Sequence, residues 1–174
     1  LQAETGNWLG ALRQAAADGD DRLVVDVAES MHWFSDRLVF WAGWYEVYGL
    51  SRTAAARLPD RNQELTHLNY FAWAATHAAR RPLEGAGIAM TAYELAVRLG
   101  DKRQQGWALQ YAGSAWRFSR TDLDRAYQAY REAMRLFDEV AAGDGTAVIW
   151  ADDAWSERVT AHARKRGLRL ISVG

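Results

Sequence analysis

Displacing the sequence by 41 positions lays Asp60 on Asp101, Gln63 on Gln104, Leu68 on Leu109, Tyr70 on Tyr111, Ala74 on Ala115, Ala92 on Ala133 and Leu95 on Leu136. The matches run through two successive stretches of helical apolar spacing. A displacement of 40 brings Asp20 onto Asp60 and Trp33 onto Trp73, so a more degenerate unit precedes the two. A unit of this length cannot bury its own apolar face. It must stack on its neighbours, which predicts a short solenoid of helical hairpins with one concave and one convex surface.

Apolar periodicity and breakers place helices near residues 6–17, 21–36, 41–58, 62–79, 83–99, 103–118 and 122–141. The connections are short: Gly19-Asp20-Asp21, Pro59-Asp60-Arg61, Arg81-Pro82, Gly100-Asp101-Lys102 and Arg120-Thr121-Asp122. Each supplies a turn residue or an Asp or Thr that can cap the next helix, and loops this short make neighbouring helices antiparallel. Hairpins are therefore expected near 21–58, 62–99 and 103–141. Small residues at Ala72, Gly113 and Ala133 mark places where two helices approach closely.

Residues 143–174 read differently. Thr146–Trp150 and Leu168–Val173 have strand character, with a helix between them capped by Asp152 or Asp153 and ending near Arg166 at Gly167. The expected organisation is a repeat domain over 1–142 and a strand-helix-strand segment over 143–174 that covers the open end of the stack.

In the last unit Leu109, Ala112, Gly113, Trp116, Ala126, Tyr130 and Ala133 resemble the tetratricopeptide pattern. That resemblance implies a mostly α fold, a right-handed superhelical stack of antiparallel hairpins, with the β-α-β-like tail appended. The unit here is 41 residues rather than 34, the closing Pro is missing and the 118–122 turn carries an extra residue, so HEAT-like units remain an alternative. Over the first half, Asn7-Trp8-Leu9-Gly10-Ala11-Leu12-Arg13, Gly19-Asp20, Trp33-Phe34 and Trp41-Ala42-Gly43-Trp44 are similar to the start of the superhelical sensor in bacterial STAND-type regulators. That similarity implies a sensor fragment of a signalling or transcriptional regulator. The ATPase of such proteins does not carry over, because no G-x-x-x-x-G-K-[ST] loop occurs. Ala147-Val148-Ile149-Trp150-Ala151-Asp152-Asp153 resembles a strand-and-turn segment of Mur-type peptide ligases, whose pattern has Asn where Trp150 stands.

Composition narrows the function classes. Twenty-one basic against 22 acidic residues leave a net charge of −1, which supplies no field for nucleic acid or anionic lipid. No stretch approaches a membrane span, and with no cysteine there is neither a disulfide framework nor a thiolate site. These features fit the cytoplasm, and a start at Leu1 without Met fits a piece of a longer chain. His32, His67, His77 and His162 lack the spacing of a zinc hydrolase and read as surface or satisfied interhelical histidines. Asp152-Asp153 could in principle be an acid/base pair, but adjacent acids before a helix read more simply as caps. Ser30, Ser35, Ser114 and Ser119 have no nucleophile elbow. Arg80-Arg81 and Arg164-Lys165-Arg166 read as solvated helix ends. The aromatic stripe Trp33, Trp41, Trp44, Tyr45 and Tyr48 reads as a seam between hairpins, with an exposed contact surface as the rival.

The expected function is a non-enzymatic scaffold that recognises a protein or peptide, with no catalytic residue, cofactor or metal. Other domains of a parent chain or a second copy are further possible partners. A small-molecule sensor, or an enzyme with its chemistry in the α/β tail, stands behind that reading. If the first helix of each pair lines a concave groove, as the tetratricopeptide resemblance implies, the groove shows Asn69, Trp73 and His77 from one unit, Trp107, Gln110, Arg117 and Phe118 from the next, and Trp33 from the first. Aromatic anchors with amide and cationic donors suit a neutral, partly apolar ligand.

Overall fold

A computed structural model describes residues 5–35, 37–144, 146–150 and 156–173. The chain is mostly helical. Its helices are α1 (Thr5–Ala17), α2 (Asp21–Ser30), the single turn α3 (His32–Ser35), α4 (Gly43–Ala55), α5 (Arg61–His77), α6 (Pro82–Leu99), α7 (Lys102–Ser119) and α8 (Leu123–Asp144). After them come β1 (Thr146–Trp150), α9 (Ser156–Lys165) and β2 (Arg169–Val173). Among the described residues no helix is long and apolar enough to cross a membrane.

The repeated aspartates have one job. Asp20 accepts from the backbone N–H of Leu23, Asp60 from those of Asn62 and Gln63, and Asp101 from that of Gln104. Each cap satisfies donors that the first helical turn leaves open, at about 1 kcal/mol apiece. Asp122 does the same for Arg125 at the start of α8. Pro82 opens α6, and Gly100, with φ 72°, closes it in the left-handed conformation that costs glycine little.

Consecutive helices pack antiparallel. Thr76 near the end of α5 meets Gly85 near the start of α6, while Leu65 near the start of α5 clusters with Leu95 and Ala96 near the end of α6. Gly106 meets Phe137 and Gly113 meets Tyr130 across α7 and α8. Ala72 and Ala133 are fully buried at these crossings. α5 also packs against α7, so equivalent helices of successive units lie side by side.

The aromatic stripe is largely core. Trp44 and Tyr48 are buried, Trp41 meets Trp44 edge-on at 4.8 Å, and Tyr48 continues the seam to Tyr70 at 5.4 Å and to Trp73 at 6.2 Å. Each large ring so buried contributes roughly 2–3 kcal/mol. Trp33 stands outside this seam and is 80% exposed.

Two expected helices differ from those observed. The continuous helix over 21–36 is instead interrupted at Met31, and the helix over 41–58 spans only Gly43–Ala55. The tertiary contacts of this region outweigh its helical periodicity. The break lets His32 stack on Tyr70 at 4.0 Å, and the following turn presents the Leu38 carbonyl to Trp44 Nε1 at 3.0 Å.

In the C-terminal segment β1 and β2 pair in parallel, Thr146 opposite Arg169 and Trp150 opposite Val173. Gly167, at φ 70°, ends α9, and the Leu168 N–H returns to the Ala163 carbonyl. Asp152 and Asp153, the expected caps, lie outside the described residues. α8 runs to Asp144, past the expected boundary at 142. Asp138 of α8 joins the two parts through Arg166 at 2.7 Å and His162 at 3.4 Å. Asp138→Asn should therefore speed tryptic cleavage at Arg164, Lys165 and Arg166 while helix content stays constant. An unchanged cleavage rate would show that α9 is held by other contacts.

Candidate functional site

Because α5 and α7 are equivalent helices packed side by side, the stripes that flank their shared surface are equivalent too. Thr66, Asn69, Tyr70, Trp73 and His77 follow helical spacing along α5; Gln104, Trp107, Gln110, Tyr111 and Ser114 follow it along α7. Together with His32 of α3 they line a groove of about 420 Å3. The repeat displacement carries Thr66, Asn69, Tyr70 and Trp73 onto Trp107, Gln110, Tyr111 and Ser114, so one surface of the repeat unit is used twice.

Five of the eight expected residues are brought together here: Asn69, Trp73, His77, Trp107 and Gln110. They do not share one role. Asn69 and Trp73 are almost wholly buried and form the wall, whereas Trp107 is 43% exposed. Phe118 does not line the groove but meets His77 edge-on at 5.1 Å, and the Arg117 guanidinium lies over the Phe118 ring. Trp33 is not among the lining residues, and His32 beside it occupies that place. His32, Thr66, Tyr70, Gln104, Tyr111 and Ser114 were not anticipated. The pairing of Tyr70 with Tyr111 and of Gln63 with Gln104 in the repeat was their only sequence signal.

Among the described residues no carboxylate, ammonium or guanidinium lines the groove. Burial, reinforced by the nearby Arg117 and Arg80 charges, pushes the His77 imidazole below its usual range, so it is neutral at pH 7. Thr66 Oγ1 donates to the Asn62 carbonyl at 3.0 Å and accepts from Gln104 Nε2 at 3.1 Å. Gln104 Oε1 in turn accepts from Asn69 Nδ2 at 2.8 Å. The chain has one direction, fixed by the backbone carbonyl at its start. It ends at Asn69 Oδ1, a buried acceptor without a partner. Among the described residues no group of His, Asp and Glu is arranged to hold a metal ion.

No protein-family model matches the chain. No solved structure matches it either. Curated proteins do. The UDP-N-acetylmuramoyl-L-alanyl-D-glutamate--2,6-diaminopimelate ligase of Zymomonas mobilis is 43% identical over 95 residues, covering 53% of this chain and 20% of the relative. The ligases of the same name from Agrobacterium fabrum and Mesorhizobium japonicum are 33% and 30% identical over 107 and 103 residues, covering 56% and 58% of this chain and 21% of each relative. This chain thus spans about a fifth of the length of the relatives it matches.

These matches overturn the functional expectation. A non-enzymatic sensor fragment of a signalling or transcriptional regulator would not be expected to match four ligases of a single name over more than half of its length. The error has a physical source: repeat periodicity reports how helices pack, while function resides in particular sites.

Proposed function

We propose that this chain serves an amide-forming ligase that acts on a UDP-linked muramyl dipeptide, and that its part is to hold that substrate. The observation that carries the reading is the single ligase name shared by four relatives. The resemblance of Ala147–Asp153 to Mur-type ligases agrees with it. A groove without a carboxylate, ammonium or guanidinium among its described lining residues is suited to holding a substrate rather than to activating a carboxylate, which needs cationic or metal assistance at the developing charge. The stack is taken as tetratricopeptide-like on the same footing, supported by α5 lying against both α6 and α7. A cytoplasmic place of action goes with this reading.

Calorimetric titration of the 174-residue chain with UDP-N-acetylmuramoyl-L-alanyl-D-glutamate tests it. Saturable binding at a single site is expected, at least about ten-fold tighter than for UDP-N-acetylglucosamine, which lacks the peptide. Absence of binding would overturn the proposal.

A further inference from the structure

The groove between α5 and α7 has a definite chemical character. Trp107 is stacked against Tyr111, with ring centroids 5.8 Å apart and 24° between planes, and Phe137 meets it edge-on at 5.2 Å. Its ring is thereby oriented before any ligand arrives, yet 43% of the residue stays exposed. A fixed, half-exposed indole is a platform for a flat group. One helical turn along, the Gln110 amide makes no hydrogen bond among the described residues and offers both a donor and an acceptor. Opposite, the directional chain from the Asn62 carbonyl through Thr66 and Gln104 leaves Asn69 Oδ1 as an acceptor with nothing to accept, on a residue only 2% exposed. Buried acceptors are nearly always partnered, and this one, on a residue that lines the groove, receives no donor from the protein.

Permanent charge is missing from the lining. With no carboxylate, ammonium or guanidinium among the described lining residues, an anionic or cationic group would lose hydration with little compensation.

We propose that this groove binds a flat, uncharged group bearing both C=O and N–H, either a pyrimidine-dione ring or a peptide unit, stacked on Trp107 and hydrogen-bonded by Gln110 and Asn69. The inference deepens the ligase reading and rests on it for the identity of the ligand, since a UDP-linked muramyl dipeptide carries a group of each kind.

The test follows backbone and side-chain amide signals of the 15N-labelled chain with two probes. Uridine supplies the ring, and N-acetylmuramoyl-L-alanyl-D-glutamate without the nucleotide supplies the peptide. One of them should shift the Trp107 indole and the Gln110 and Asn69 side-chain amides saturably, which also decides the source. If uridine is the one, 3-methyluridine, lacking the ring N–H, should bind at least about ten-fold more weakly. Trp107→Ala should weaken binding by about ten-fold or more, and Gln110→Ala, at a half-exposed position that leaves packing intact, by several-fold. No shift with either probe, or full binding by Gln110→Ala and Trp107→Ala together, overturns the groove. If the complete UDP-muramyl dipeptide still binds both variants as it binds the wild type, the ligase reading stands and only the placement of its substrate falls. If uridine binds the groove while the complete substrate does not bind, the groove stands and the ligase reading falls.

Discussion

Acidification from pH 7 to pH 4 should remove roughly 3 kcal/mol of stability through one side chain, His67. The ring is fully buried, and its Nδ1 lies 3.0 Å from Ser51 Oγ. Ser51 spends its own hydroxyl proton on the Tyr48 carbonyl, so His67 Nδ1 carries the hydrogen and donates it. That leaves Nε2 as a bare, buried lone pair with no partner. Protonating it would place a cation in the core, and burial, aided by repulsion from His32 against a weaker attraction from Asp26, lowers its pKa from 6.5 to about 4. The folded state therefore binds this proton less readily than the unfolded state. Stability is complete above pH 6.5 and falls as the unfolded chain protonates between 6.5 and 4. Below 4 both states are protonated and the loss levels off. Urea unfolding across this range should show a slope of nearly one proton, and His67→Gln, which keeps a donor for Ser51 but cannot titrate, should abolish that proton's share. An identical slope in wild type and variant would show that His67 is not the source.

The parts of the fold that were legible in the sequence depend on local chemistry. Asp20, Asp60 and Asp101 are N-caps because a short carboxylate beside an open helix start has one obvious use, and the repeat presents it three times. The break after Ser30 was not legible. It is compensated by the stack of His32 on Tyr70, a contact between residues 38 positions apart, and no local pattern announces it. The same event explains the misplaced groove residue. The interrupted helix sets His32 at the groove and leaves Trp33 in solvent. Asn69, Trp73, His77, Trp107 and Gln110 fall along one groove because the repeat fixes which stripe of α5 and α7 is shared. Their division into wall and platform depends on packing depth, which periodicity does not encode. The function was misread for a related reason, since the signals strong enough to read were those of packing.

Gly85→Ala and Gly87→Ala make the same substitution on the same helix two residues apart, and they should change stability in opposite directions. Residue 87 is exposed with nothing near a would-be Cβ, so there alanine gains the helix propensity that glycine lacks, about 0.5–1 kcal/mol. Residue 85 is a crossing point. A Cβ there would overlap Thr76 Oγ1 and lie 3.0 Å from the Ala72 carbonyl oxygen and 3.1 Å from the Thr76 nitrogen. Two of these neighbours are backbone, and the Thr76 hydroxyl is itself buried and bonded to Ala72, so the strain cannot be shed by a loose side chain. Overpacking of this kind costs about 1–3 kcal/mol, which exceeds the propensity gain through most of that range. The repeat sharpens the expectation. Displacement by 41 carries Ala72 onto Gly113 and Gly85 onto Ala126, and in the second hairpin a Cβ on Gly113 would meet Tyr130 at 3.0 Å and the Ala126 carbonyl at 3.2 Å. Each hairpin thus closes on one alanine and one glycine, with the glycine on the second helix in one unit and on the first in the next. Gly113→Ala should be intermediate, because its nearest neighbour is a tyrosine ring that can tilt. Urea midpoints should rank Gly87→Ala above wild type, then Gly113→Ala, then Gly85→Ala. A Gly85→Ala midpoint equal to that of Gly87→Ala would mean that the helices do not approach closely at that point.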